Sequence, residues 1–242
     1  MKRVKLYKEL KLDLKDTNII SVVGGGGKTT TITTLARELK MEGKKVLIST
    51  TTGIFIPNRN SYDNIFIGRF PNIFKPQSSS ITYYAERVDG IKLKTGDISK
   101  IENVIERDVF DFILLEADGS KGKPIKAPAS HEPVISKYTT VTIGVIGLDC
   151  LGTTINDDNV HRPELLIKLV EDGVKTVDID LILALIKSKN GLYKNSLGRK
   201  ILFLNKANNN YRIFKATEIK ERLKDEDIRV VIGDIKSNRY MK

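Results

Sequence analysis

The chain has 242 residues, 40% of them hydrophobic, a formal net charge of +11 and one cysteine, Cys150. That is enough apolar material for the core of one large domain, or one domain with a small appendage, and a lone cysteine excludes an internal disulfide. No apolar run reaches the ~18 residues of a membrane span, and the charged start MKRVKLYKELKLDLKD lacks the apolar stretch of a signal peptide, so a cytoplasmic protein with no membrane partner is expected.

The positive charge is mostly lysine, spread along the chain and interleaved with Asp and Glu. Without an Arg-rich run or basic–aromatic interleaving, it reads as a solvated surface rather than a nucleic-acid footprint. Such a surface still favours capture of polyanionic nucleotides.

Residues 1–17 are expected to form a peripheral strand or hairpin partner. Asn18–Val23 (NIISVV) is β-branched and apolar and predicts a short buried strand. Four glycines follow, Gly24 to Gly27, then Lys28, Thr29 and Thr30. The segment Thr29–Met41 carries Ile32, Leu35, Ala36 and Leu39 at helical spacing. Strand, glycine loop and helix together are the context of a phosphate-binding loop, where N–H groups and the helix dipole converge on an anion. Lys28 adds a mobile cation for the outer phosphates, and Thr29 a hydroxyl for Mg²⁺. The motif is G-x-x-G-K-T from Gly24; Val22 stands where the longer pattern has a further glycine.

A strand at Lys45–Ser49 leads into STTTG, whose hydroxyls, Thr51 included, either meet substrate or metal-bound water or form a plain turn. A strand is expected at Asn64–Ile67. Residues 68–96, with Pro71, Pro76 and SSS, read as irregular, a flap or hairpin insertion. After a helix at Ile98–Arg107, the run Phe112–Ala117 is apolar throughout, as in a central parallel strand, and ends at Glu116, Asp118 and Gly119. A carboxylate there, beyond the carboxyl end of a strand, suits Mg²⁺ or the orientation of an attacking group. Glu116 and Asp118 are both candidates. The loop beyond them holds Lys121, Lys123, Lys126, His131 and Glu132; Lys121 and Lys123 either meet an anionic substrate or are simply solvated.

Val141–Ile146 is a further strand, followed by GLDCLG, where Cys150 beside Asp149 reads as a small buried hydrophobe before a reactive thiol. His161 and Arg162 precede Pro163, a good first residue for a helix at Pro163–Glu171. A helix at Ile179–Ser188 and a strand at Ile201–Leu204 follow. That strand runs into Asn205-Lys206-Ala207-Asn208. This resembles the Asn-Lys-x-Asp guanine reader of GTPases, with an amide in place of the final carboxylate, which disfavours GTP. A helix at Ala216–Lys224 and a strand at Arg229–Ile232 complete the alternation. The expectation is a single α/β nucleotide-binding domain over residues 1–242: a P-loop NTPase-like, open, mainly parallel sheet with helices on both faces.

VVGGGGKTT, LLEADGSKGKPIKAPASHEPVI, VIGLDCLG and NVHRPELL together resemble the YqeC-type family, accessory proteins of selenium-dependent hydroxylases and selenium cofactor biosynthesis, from about residue 15 to 235. The resemblance implies a P-loop nucleotide-binding protein with Mg²⁺ and ATP or GTP as cofactors, and a selenium-dependent molybdenum hydroxylase or its cofactor as partner. It carries over the phosphate loop Gly24–Thr30, the stretch Glu116–Gly119, Lys121, His131–Glu132 and His161–Arg162. It departs at Asn208, where an Asp is expected. The function so implied is an Mg²⁺-dependent NTPase aiding hydroxylase maturation; a small-molecule kinase or ATP-dependent ligase, or a non-hydrolysing nucleotide-binding scaffold, are the alternatives.

Overall fold

In the computed structural model, which describes residues 2–170 and 173–241, short β-branched runs alternate with helices along the whole chain. The first half contains β1 (Lys2–Arg3), α1 (Leu6–Glu9), β2 (Asn18–Gly24), α2 (Lys28–Met41), β3 (Lys45–Thr50), β4 (Ile54–Phe55), β5 (Asn64–Ile67), β6 (Ser80–Ala85), β7 (Arg87–Asp89), β8 (Lys92–Lys94), α3 (Ile98–Ile105) and β9 (Phe112–Glu116). The second contains β10 (Ile125–Lys126), β11 (Val141–Gly147), β12 (Val160–His161), α4 (Pro163–Ile167), α5 (Ile179–Lys187), β13 (Arg199–Asn205), α6 (Asn210–Arg222), β14 (Arg229–Asp234) and β15 (Arg239–Tyr240).

Among the described residues, ten strands form one sheet in the order β1-β15-β14-β13-β11-β2-β9-β3-β6-β5. Every pair from β14 to β5 is parallel; β15, near one edge, is antiparallel to both its neighbours, β14 and β1. The fold is α/β with a large, mostly parallel sheet. Helices cover both faces because the strands alternate. Ile20, Val22, Phe112 and Leu114 pack with Leu35 and Leu39 of α2. Ile19, Ile113 and Leu115 turn the other way, onto Ile101 and Val104 of α3. Further along that second face, Leu202, Leu204 and Ile232 meet α5 and α6.

From β2 the sheet extends through β9, β3, β6 and β5 on one side, and through β11, β13 and β14 on the other; the chain fills the first side before it crosses to the second. β2 and β11 therefore flank a topological switch point, where the carboxyl ends of parallel strands open a crevice. The glycine run lies at that point.

The eleven strands and helices expected between residues 18 and 146 and at 179–232 all recur, Asn64–Ile67 with the same ends and the others with shifted ends. α6 begins at Asn210, six residues before the expected Ala216, because the Asn209 side chain caps it by accepting from the Arg212 N–H at 2.9 Å. α4 ends at Ile167, and the expected far end at Glu171 lies outside the described residues. Within 68–96, Ser80–Ala85 is an internal strand of the sheet, buried at all six positions, and Arg87–Lys94 forms a hairpin. That hairpin joins β4 in a separate three-stranded sheet. Near the start, β1 lines the sheet edge and α1 packs on α2, its Leu6 and Tyr7 N–H groups donating to the Glu38 carboxylate at 2.9 and 3.0 Å.

Candidate functional site

A cavity of about 1000 Å³ opens over the glycine run. Its floor is Gly26–Thr30 and Glu116, with Gly119–Gly122, Glu132 and His161–Arg162 on its walls. The backbone at the floor requires glycine. Gly26 and Gly27 have φ of +75° and +126°, and a Cβ on Gly26 would lie 2.1 Å from the Gly147 nitrogen.

Three of the glycine N–H groups already have protein acceptors: Gly24 donates to Asp118 Oδ2 at 3.0 Å, Gly25 to the Val145 carbonyl and Gly26 to the Lys123 carbonyl, both at 2.9 Å. These bonds fix the loop. The first helical bond of α2 runs from Thr31 N–H to the Gly27 carbonyl at 2.9 Å. The N–H groups of Gly27, Lys28, Thr29 and Thr30 therefore precede the helical ladder and line the cavity without an acceptor among the described residues.

Lys28 curls back over its own loop. Its ammonium donates to the Gly24 carbonyl at 2.6 Å and lies 3.1 Å from Asp118 Oδ1. That second contact is off the line of a hydrogen bond, so it is charge to charge. Asp118 Oδ2 also meets the Lys126 ammonium at 3.1 Å. Lys126 in turn donates to Glu132 Oε2 at 2.7 Å, and Arg162 Nη1 donates to the same oxygen at 2.5 Å. Lys28, Asp118, Lys126, Glu132 and Arg162 thus alternate in sign, and all but Arg162 are buried. Burial works to raise the Glu132 carboxyl, but the bonds from Arg162 and Lys126 outweigh it and bring it down to about 2.

Glu116 stands apart from this chain. Its Oε2 accepts from the Thr29 hydroxyl at 2.7 Å at the cavity floor, and burial, opposed by Lys28 and Thr29, holds its carboxyl above the usual range. Asn205 ties the far strand to the loop: Nδ2 donates to the Gly26 carbonyl at 2.8 Å and Oδ1 accepts from Ile235 N–H at 3.2 Å. Lys206, also on the wall, pairs with Asp149 Oδ2 at 2.6 Å. Lys121, Arg162 and Lys206 all have positive φ, 48°, 65° and 63°, a backbone state that costs an L-residue roughly 1–2 kcal/mol. His161, half-buried beside Arg162 and Lys126, is driven down to about 4 by burial and by those cations.

Several expected residues lie elsewhere. Asn208 is exposed, away from the cavity lining, and accepts from Arg212 Nη1 at 2.8 Å. His131 is exposed and does not line the cavity. Thr51 donates to the Val134 carbonyl at 3.1 Å, bracing a loop. Lys123 reaches the Asp158 carbonyl at 2.8 Å. Cys150 is buried, and burial pushes its thiol up to about 12. No local pattern marked Phe55 and Lys92, which reach the cavity from the small sheet, or Lys236 beyond β14. Lys126 was visible only as one lysine among several; its burial arises from contacts across segments.

The family model described as YqeC protein matches residues 20–164. A protein of Escherichia coli (strain K12) described as "Uncharacterized protein YqeC" is 32% identical over 235 residues, covering 93% of this chain and 90% of its own length. The chain belongs to the YqeC family. The matched YqeC segment contains the glycine loop, Glu116, Asp118, Lys126, Glu132 and the His161–Arg162 pair, but not Asn205 or Lys206. No solved structure matches the chain.

Proposed function

We propose that this YqeC-family chain is an Mg²⁺-dependent P-loop nucleotide-binding protein that turns over ATP or GTP, acting in the cytoplasm as an accessory factor in the maturation of selenium-dependent molybdenum hydroxylases. One observation carries the nucleotide reading. Four N–H groups without an acceptor among the described residues, from Gly27 to Thr30, meet Lys28 at a helix start over a cavity, with the Thr29 hydroxyl 2.7 Å from Glu116. Polyphosphate is the ligand that such converging donors suit. On its arrival Lys28 exchanges the Gly24 carbonyl for phosphate oxygens.

The donor set also fits Mg²⁺. This ion is commonly held by one or two protein oxygens together with phosphates and water; here Thr29 and Glu116 supply the protein oxygens. Bound there, Mg²⁺ would neutralise charge on the outer phosphates. Asp118 is already engaged by Lys28, Lys126 and the Gly24 N–H, so its role is to position the loop and its lysine.

The hydroxylase role rests on the motif resemblance described above. The cavity extends past the loop to His161 and Arg162, which favours a second reading: transfer of a phosphoryl or nucleotidyl group to a small molecule, as in a kinase or ligase. Calorimetric titration with ATP and GTP, with and without Mg²⁺, followed by turnover assays, tests both. Mg²⁺-dependent binding with slow basal turnover is expected. No binding of either nucleotide overturns the proposal; tight binding without turnover leaves a nucleotide-dependent scaffold.

A further inference from the structure

We infer that His161, Arg162 and Lys121 form a second ligand site in the cavity, which takes the oxyanion of a small co-substrate, a carboxylate or a phosphate, while the nucleotide occupies the glycine-loop part. This rests on the nucleotide reading above and names the class of molecule that the nucleotide would act upon.

The cavity holds about 1000 Å³, the upper end of the range of roughly 300–1000 Å³ for small-molecule sites. Arg162 is separated from Lys28 by the intervening Asp118, Lys126 and Glu132, so the two cations serve different parts of it. One nitrogen of the Arg162 fork is anchored on Glu132, and the remaining donors have no acceptor among the described residues. A guanidinium held at one corner is pre-organised for a planar, bidentate oxyanion. The buried Glu132 does not cancel this charge, because Lys126 shares its oxygen.

Lys121 lies on the same lining, exposed and without an ion pair among the described residues. His161 carries no charge at neutral pH, since burial and the neighbouring cations depress it, and so is able to accept a hydrogen bond from a ligand hydroxyl. Asp157 and Glu164 also line the cavity. They disfavour a second polyanion there and suit a small ligand with one oxyanion and further hydrogen-bond donors.

The test uses the full chain saturated with Mg²⁺ and a non-hydrolysable ATP analogue, titrated separately with inorganic phosphate and with malonate and followed by amide chemical shifts. Saturable shifts at the Lys121 and Arg162 amides are expected with one of the two probes, whichever it is identifying the oxyanion. In Arg162→Gln the apparent affinity should fall tenfold or more. Arg162→Lys, which keeps a cation for Glu132, should lose severalfold, and so should Lys121→Ala, whose exposed side chain supports no packing. Absence of saturable shifts with both probes overturns the site, as does affinity unchanged in Arg162→Gln and Lys121→Ala. The same titration of Lys28→Ala without nucleotide separates the two proposals. Probe binding that persists there while ATP no longer binds supports two sites; probe binding lost with Lys28 assigns the oxyanion to the glycine loop and overturns this one.

Discussion

Glu116 and Asp118 sit two residues apart at one strand end and are chemically almost alike, yet their surroundings assign them opposite duties. Glu116 faces the cavity with the Thr29 hydroxyl and has a raised carboxyl, because burial disfavours its charge. Glu116→Gln removes that charge at little cost to folding, and is expected to abolish the Mg²⁺ dependence of nucleotide affinity in paired titrations. Asp118 is gripped by two buried lysines. Breaking such an arrangement from one side costs about 3–5 kcal/mol, so Asp118→Asn should show a large fall in the urea midpoint. Mild, equal effects from both substitutions would defeat this division. Lys28→Ala leaves Asp118 paired with Lys126, so the protein should remain folded while nucleotide affinity drops at least tenfold; an unchanged affinity would end the phosphate-loop reading.

At the scale of elements, the strand–loop–helix unit was legible because its determinants are local. β-branched runs, glycines and helical spacing each declare themselves within a few residues. What stayed hidden was set by distant partners. Glu38 caps α1 from another helix, and Ser80–Ala85 is an internal strand between β3 and β5 although Pro71, Pro76 and SSS leading into it read as loop chemistry. Asn205-Lys206-Ala207-Asn208 was visible as a strand-end motif, but the cap at Asn209 starts α6 early and leaves Asn208 exposed beside Arg212. Asn208→Asp should therefore leave the ATP-to-GTP preference unchanged in competition binding; a tenfold shift toward GTP would put this side chain back at the base. The glycine loop gives a stricter test. Gly26→Ala meets both a φ of +75° and the Gly147 backbone at 2.1 Å, whereas Gly122→Ala meets a φ of +76° with open space around it. The second should cost about 1 kcal/mol, the ordinary strain of a left-handed residue. The first should cost several times more and eliminate nucleotide binding, as read by urea melts and titration. Equal costs would mean that the close approach at Gly26 is not a feature of the folded loop.

Across the whole molecule, the alternating ion chain binds together three segments that are far apart in sequence: the glycine loop, the loop after β9 and the β12–α4 junction. Glu132 in this chain and His161 beside it should make stability depend on acid in two successive stages. His161 is held at about 4 against an ordinary 6.5. Between those values the unfolded chain takes a proton that the folded one refuses, so stability must fall as the pH drops from 6.5 toward 4. Glu132 is held at about 2 against 4.5, so a second loss begins near 4.5 and continues toward 2, as the carboxylate between Lys126 and Arg162 is neutralised. Melting temperatures measured from pH 8 to pH 3 should decline through both windows. His161→Asn removes the titrating ring, and relative to the wild type its profile should be flatter between 6.5 and 4 while the loss below 4.5 remains. Glu132→Gln should do the reverse, losing sensitivity in the lower window and starting from a lower melting temperature at neutral pH, because Lys126 and Arg162 are left facing each other without their shared anion. An unchanged acid profile in both variants would show that this chain does not couple the three segments.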